Sequence, residues 1–352
     1  MRTDTGFVPR MAESVATVHH VPRLVAVLSL ILLLAGCAGA DLAKQRFPRT
    51  TIPADAENVT DPTGSSRPPA PPADGEPVDP AFAADELRLT DPCELLDEDV
   101  LKRFGTPGDR SRGGFSRCSN FMKDKNGKDL AVTVEIGQTM TTELKKADKQ
   151  LAGLRSYEQV LENSACFVSV ITQEEPGLGI TVQIGYEDGD ACAPGREMAE
   201  SVVRQIKDRA ATRTAAKGSL ITLDPCALPE KAAVEAGAGA GHRVYPYGLH
   251  HCSWVGDDRE LTLAFRETFI PDDHEFDDKQ TEVDLGGGVV GYQLSSSTAF
   301  PSCEVTWVQL EGADNDGEVV EVKSAGPKAS EFDRCATAVA FAKSIVGKIP
   351  KG

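Results

Sequence analysis

No apolar run in the 352-residue sequence is long enough to cross a bilayer as a helix, which takes ~20 residues. The run from Leu24 to Ala35 holds 12 residues and no charge. Positive charge is also in short supply: 37 Lys and Arg stand against 54 Asp and Glu, for a formal net charge of −17. Nucleic acid and anionic headgroups both demand basic patches, so this balance argues against either as a partner. Most of the carboxylates read as a solvated surface. The nine cysteines include no Cys-x-x-Cys, which speaks against a thioredoxin-type redox site and a zinc ribbon. Ser-x-x-Lys, Gly-x-Ser-x-Gly and His-Glu-x-x-His are absent too. No motif points to an enzyme, and no cofactor is expected.

What is present begins with the short apolar run itself. Arg10, His19, His20 and Arg23 precede it, with Met11 as a second possible start, which is the pattern of an export signal. No paired arginines stand before it, so general secretion is favoured over the twin-arginine route. The run ends in Leu34-Ala35-Gly36-Cys37, which resembles the bacterial lipobox. Residues 1–36 are therefore expected to be a lipoprotein signal peptide, and Cys37 the acylated first residue of the mature chain. Removal of three arginines with Asp4 and Glu13 takes the net charge from −17 to −18, so lipid and not electrostatics must hold the chain to the membrane. The expected location is extracytoplasmic, on the outer face of the cell membrane.

Residues 37–86 are rich in proline (Pro48, Pro53, Pro62, Pro68, Pro69, Pro71, Pro72, Pro77, Pro80) and poor in apolar periodicity. Such a segment buries too little apolar surface to offset chain entropy, and is read as a disordered, semi-rigid tether.

The other eight cysteines fall into two sets. Cys93, Cys118, Cys166 and Cys192 are spaced by 25, 48 and 26 residues; Cys226, Cys252, Cys303 and Cys335 by 26, 51 and 32. Their surroundings match as well. Asp91-Pro92-Cys93 parallels Asp224-Pro225-Cys226, Arg117-Cys118-Ser119 parallels His251-Cys252-Ser253, Leu151-Ala152-Gly153 parallels Leu285-Gly286-Gly287, and Cys192-Ala193 parallels Cys335-Ala336. The chain is read as a tandem duplication: a first repeat over residues 87–212, a linker over 213–219, and a second repeat over 220–352.

Each repeat reads as a helix, a hairpin, a helix or loop, a short strand, a second hairpin and a closing helix. In the first, a helix over Leu96–Phe104 is expected to end at Gly105 as a left-handed cap. A hairpin turns at Asn126-Gly127 into Val132, Val134 and Ile136, alternating with Thr133 and Glu135. A second hairpin turns through Pro176-Gly177. The closing helices carry apolar stripes, Met198, Val202, Val203 and Ile206 in one, and Val339, Ala342, Ile345, Val346 and Ile349 in the other. The fold class is α+β: two tandem domains, each a mostly antiparallel β-sheet covered by helices.

An exported chain meets an oxidising space, so the even cysteine sets read as disulfides, with three pairings open in each. A hairpin returns to where it began, which puts Cys192 near Cys166 and Cys335 near Cys303. Cys93 is left for Cys118, and Cys226 for Cys252. Loops of this size give ~3–4 kcal/mol each on a chain-entropy estimate. Asp91 and Asp224 suit a cap and the following prolines its first turn, so Asp-Pro-Cys is structural.

A lipobox Cys, a Pro-rich tether, Asp-Pro-Cys with a helix, Cys252-Ser253-Trp254, a mid-domain Cys in a strand and a late Cys-Ala together resemble the actinobacterial lipoproteins of domain-of-unknown-function family 3558. The first repeat departs from this pattern with Asn120-Phe121 after Cys118-Ser119. The resemblance implies a cell-surface location, and brings no activity or catalytic residues.

His242, His250, His251 and Asp257 are the candidate metal or catalytic cluster, since imidazole and carboxylate ligate metals and His serves as a general base; the ordinary alternative is loop and edge-strand histidines. Gly237-Ala-Gly-Ala-Gly241 lacks the spacing and Lys of a phosphate loop, Asp314-Asn315-Asp316-Gly317 reads as a hairpin turn in place of a calcium loop, and the acidic run from Asp272 to Asp278 as a solvated segment. Trp254 and Trp307 read as strand core. The expected function is a non-enzymatic surface lipoprotein that binds an envelope protein or cell-wall ligand, with a ligand between the domains among the options; the alternative is an envelope hydrolase or metal-binding protein using His242, His250 and His251. Changing Cys37 to Ala is expected to move the protein from the membrane fraction to the medium, read by immunoblot; retention at the membrane would refute the anchor.

Overall fold

A computed structural model describes residues 75–161, 164–187, 189–270, 280–312 and 316–352. The expected signal peptide, Cys37 and the expected tether up to residue 74 lie outside the described residues. Among those described, no helix is long and apolar enough to cross a membrane.

The alternation seen in the sequence builds two antiparallel sheets. In the first repeat, β1 (Gly105–Thr106) and β2 (Arg110–Arg112) both pair with β3 (Arg117–Asp124), which pairs with β4 (Asp129–Thr139). After β5 (Lys149–Leu151), β6 (Leu154–Leu161), β7 (Ala165–Gln173) and β8 (Leu178–Gly185), the order is β1-β3-β4-β8-β7-β6-β5. The second repeat supplies β9 (Arg243–Pro246), β10 (His251–Val255), β11 (Glu260–Phe269), β12 (Thr281–Gly286), β13 (Val289–Ser296), β14 (Ser302–Glu311) and β15 (Asp316–Ala325), ordered β9-β10-β11-β15-β14-β13-β12. Position for position this is the same path. Asp124 fixes the β3–β4 turn by accepting from the backbone N–H of Asn126 and Lys128 at 2.8 Å each, while Gly127 takes φ 83°.

Six helices are described: α1 (Ala84–Arg88), α2 (Glu98–Phe104), α3 (Thr142–Lys146), α4 (Cys192–Lys207), α5 (Lys231–Ala238) and α6 (Arg334–Val346). α4 lies on β7 and β8, and α6 on β14 and β15. Met198, Val202, Val203 and Ile206 are buried under α4 as the stripe implied. In α6 the inner face is rotated slightly from expectation: Ala338, Phe341, Ala342 and Ile345 are buried, with Val339 and Val346 at the margin. The large Phe341 ring takes the centre, 5.8 Å from Trp254. Trp254 and Trp307 are both core residues.

Disulfides join Cys93 to Cys118, Cys166 to Cys192, Cys226 to Cys252 and Cys303 to Cys335. Each connects an element outside the sheet to a buried strand. The carboxylates of Asp91 and Asp224 accept from the backbone N–H of Cys93 at 2.8 Å and of Cys226 at 2.7 Å, capping the turns that carry those cysteines.

Four sequence expectations are corrected. Residues 75–86, assigned to the tether, are folded: Val78 N–H donates to the Thr172 carbonyl at 2.9 Å, and Phe82 is fully buried in the first core. The helix expected from Leu96 starts at Glu98, because Asp97 is its cap, accepting from Asp99 and Val100 N–H at 2.9 and 3.3 Å. Gly105 is not left-handed but extended at φ 169°, and the reason for glycine is contact, since a Cβ there would collide with the Lys123 carbonyl. The single short strand expected in mid-repeat is a hairpin, β5–β6 in the first repeat and β12–β13 in the second. Ala152 and Gly153 both take positive φ at its tip, as a two-residue hairpin requires.

The two cores exchange one residue each. Leu249, from the loop before β10, is buried in the first repeat's core, and Phe115, from the loop before β3, in the second repeat's. These are equivalent positions, three residues before Cys252 and Cys118. Each follows a glycine of positive φ, Gly248 at 121° and Gly114 at 96°. A Cβ at Gly137 on β4 would run into the Leu249 side chain, so the first repeat has glycine where that side chain seats. Arg88, 4 % exposed, donates to the Leu249 carbonyl at 3.2 Å, and Arg213 to the Phe115 carbonyl at 2.6 Å. Residues 89–91 and 211–213 pair as a two-strand clasp: Asp91 N–H donates to Ala211 and Arg213 N–H to Leu89, both at 2.8 Å. Leu249→Ala is expected to cost about 2–5 kcal/mol and to lower both repeats in one cooperative urea transition. Two separated transitions, with the second repeat unchanged, would show the exchange to be incidental.

Candidate functional site

Where the exchanged residues leave their parent repeats, a cleft of about 720 Å³ opens between the two sheets. The volume is that of a small-molecule site. One wall is the segment from Ser111 in β2 to Arg117 at the start of β3, with the end of β4 from Glu135 to Gln138; the other is the segment from Tyr247 to His251 at the start of β10, with Ala264 to Phe269 of β11, and Asp316 closes one end. The walls are equivalent parts of the two repeats. Ile136 N–H donates to the Ser116 carbonyl and Phe265 N–H to the His250 carbonyl, both at 2.9 Å, so the same hydrogen bond holds each loop to its strand.

Ion pairs join the repeats around the cleft-lining Arg112, Leu249 and Glu267. Arg88 pairs with Asp224 at 2.9 Å and with Asp85 at 2.7 Å. Arg112 holds Asp91 through both carboxylate oxygens at 3.0 and 2.9 Å, and reaches toward Glu267 of the other repeat at 3.9 Å. Burial would raise the Asp91 pKa, but the Arg112 hydrogen bond and the Cys93 N–H hold it below its ordinary value. Both Asp-Pro-Cys aspartates are thus more than turn caps, for each binds an arginine at the junction. Glu135 and Glu267 shift the other way: desolvation raises both, against the pull of Arg117 on Glu135 and of Arg112 and Arg213 on Glu267.

The four candidate residues part company here. His250 and His251 line the cleft, whereas His242 Nδ1 donates to the Gly239 carbonyl, 2.9 Å away, and Asp257 is exposed in the β10–β11 turn. Among the described residues no group of three or more His, Cys, Asp or Glu is placed to hold a metal ion. Asp272 to Asp278, Asp314 and Asn315 lie outside the described residues, while Asp316 and Gly317 open β15 opposite Phe269 and Thr268. Gly237 lies in the last turn of α5, and Gly239 and Gly241 in the loop that follows it.

His250 is 8 % exposed, with one ring nitrogen 2.8 Å from the Ile221 carbonyl and the other 3.3 Å from Ser116 Oγ across the junction. The carbonyl can only accept, so Nε2 carries the proton and Nδ1 accepts from the serine. This looks like a nucleophile–base pair, but the electrostatics oppose it. Desolvation pushes the His250 pKa down to about 4, opposed by the Ile221 carbonyl and reinforced by Arg88 and Arg213. A general base must become an imidazolium, and this environment penalises that form. The pair reads as a hydrogen-bonded seam between repeats. His251 is held below its ordinary pKa by burial and by Arg266, against Glu321, and packs on the Tyr247 ring at 5.3 Å.

Sequence reasoning passed over Arg112, Arg117, Glu135, Tyr247, Arg266 and Glu267, which the cleft brings together. Gly114 and Gly248, at matching distances before Cys118 and Cys252, were the available signal.

No family model matches this chain, and no curated protein does. Among solved structures it is similar to the di-domain ARO/CYC StfQ from the steffimycin biosynthetic pathway, at 11 % identity and a TM-score of 0.17, covering 76 % of this chain and 96 % of that one. It is also similar to MucB in complex with MucA(peri), at 10 % identity and a TM-score of 0.14 over 67 % of this chain and 83 % of that one. A second di-domain ARO/CYC, BexL from the BE-7585A biosynthetic pathway, gives 11 % and 0.12 over 76 % and 89 %. At these TM-scores the likenesses carry no argument.

The His250 shift has a defined sign. Unfolded, the ring takes a proton below about pH 6.5; folded, it does so only near pH 4. Its contribution is therefore intact above pH 6.5 and lost as pH falls to 4, with a total on the order of 3 kcal/mol. Urea midpoints measured across this window should fall in the native protein and fall less in His250→Gln. Equal slopes would show that His250 is not the titrating group.

Proposed function

We propose that this chain is a surface lipoprotein, anchored through Cys37, that binds an envelope component in the cleft between its repeats and performs no chemistry on it. The cleft is the observation that carries the reading. It is built from equivalent segments of both repeats, so neither repeat alone would have it, and its unpaired polar groups face a space of ligand size. The resemblance to domain-of-unknown-function family 3558 agrees with a cell-surface location. Four disulfides suit an oxidising compartment, which supports export. The hydrolase alternative loses support from the environment of His250, which resists the proton a base must accept.

The test uses the full-length lipoprotein on cells. Ser111 lies exposed on the cleft wall, so Ser111→Trp should fill space without touching either core. The native protein is expected to capture an envelope component in stoichiometric amount, and Ser111→Trp to lose most of that capture with its thermal midpoint unchanged. Equal capture by both would place binding elsewhere and remove the cleft reading.

A further inference from the structure

The chemistry of the cleft narrows what it holds, on the reading that it is the binding site. Arg112, Arg117 and Arg266 face Glu135, Glu267 and Asp316, so opposite charges are present in equal number. A ligand of either sign meets as many like charges as unlike ones, which costs it the advantage of steering and pairing. A neutral ligand with many hydrogen-bond donors and acceptors meets no such penalty.

The unpaired groups are suited to hydroxyls. Among the described residues Arg117 makes no ion pair, and its cross-strand neighbour Glu135 accepts no hydrogen bond although it is half-buried. A carboxylate accepts at two oxygens and a guanidinium donates from a fork, and each spans a pair of adjacent hydroxyls. Two exposed rings complete the walls: Phe269 is 70 % exposed, and Tyr247 is 51 % exposed with Tyr245 stacked behind it at 6.3 Å. Such rings offer apolar faces to a partner that is polar at its edge and apolar across its C–H face. A sugar ring has this character, and the cleft has room for more than one.

We infer that the cleft binds a neutral oligosaccharide, with Arg117 and Glu135 engaging its hydroxyls and Tyr247 and Phe269 packing on its ring faces. The full-length lipoprotein, held in a detergent without a sugar headgroup, is titrated calorimetrically with maltotriose, cellotriose and N,N′,N″-triacetylchitotriose, and with the zwitterionic tripeptide Lys-Ala-Glu. Saturable binding of at least one trisaccharide is expected, weakened tenfold or more in Glu135→Ala and in Tyr247→Ala, with thermal midpoints confirming that both variants fold. Failure of all three sugars, or sugar binding indifferent to both variants, overturns the saccharide assignment. Tripeptide binding that the same variants abolish would leave the cleft as the site and overturn only the ligand class. If the sugars fail and Ser111→Trp still captures its envelope component, the cleft reading falls as well.

Discussion

The reciprocal seating of Phe115 and Leu249 is the contact on which the rest of the molecule depends. Each side chain fills space in the other repeat's core, where burying it is worth about 1.5–3 kcal/mol. More consequential is what the exchange does to geometry. It pins the loop before β3 and the loop before β10 against the opposite sheet, and those loops are the cleft walls. The buried Arg88 and the half-buried Arg213 follow from the same demand: a loop drawn out of its own domain leaves carbonyls without partners, and these arginines satisfy those of Leu249 and Phe115.

That explains why charges are buried at the junction at all. A paired buried charge is weak support for stability but costly to strand. Arg88 donates to Asp85, Asp224 and a carbonyl together, so its charge is shared between the repeats and neither can move without leaving it uncompensated. His250 shows the converse economy: kept neutral, it donates to Ile221 and accepts from Ser116. The Asp-Pro-Cys aspartates, recognisable as caps, turn out to be where covalent brace and charge network meet.

Much of the fold was legible because its signals are local. Val132, Val134 and Ile136 announce a half-buried strand by period alone, Asn126-Gly127 announces its turn, and hairpin return dictates which cysteines meet. The β5–β6 hairpin was hidden because its residues, such as Lys149, Gln150, Glu158 and Gln159, carry no apolar alternation; it is held by edge pairing and a positive-φ tip. Phe82 was masked by the prolines around it, though it and Leu87 bury into the first core while Val78 bonds to the end of β7. The site was the least readable part. A Leu or Phe just before a strand looks like its own domain's core, and nothing local says that it serves the neighbour. The histidines drew attention to the right place for a different reason, since two of the three do line the cleft, as seam and wall, and among the described residues none joins a metal-holding group.

The backbone clasp between residues 89–91 and 211–213 leaves little free chain between one repeat and the next. Two such domains on separate chains would associate according to their abundance and drift apart when scarce. Joined in this way, each meets its partner at a fixed effective concentration, so the shared cleft persists however dilute the protein is.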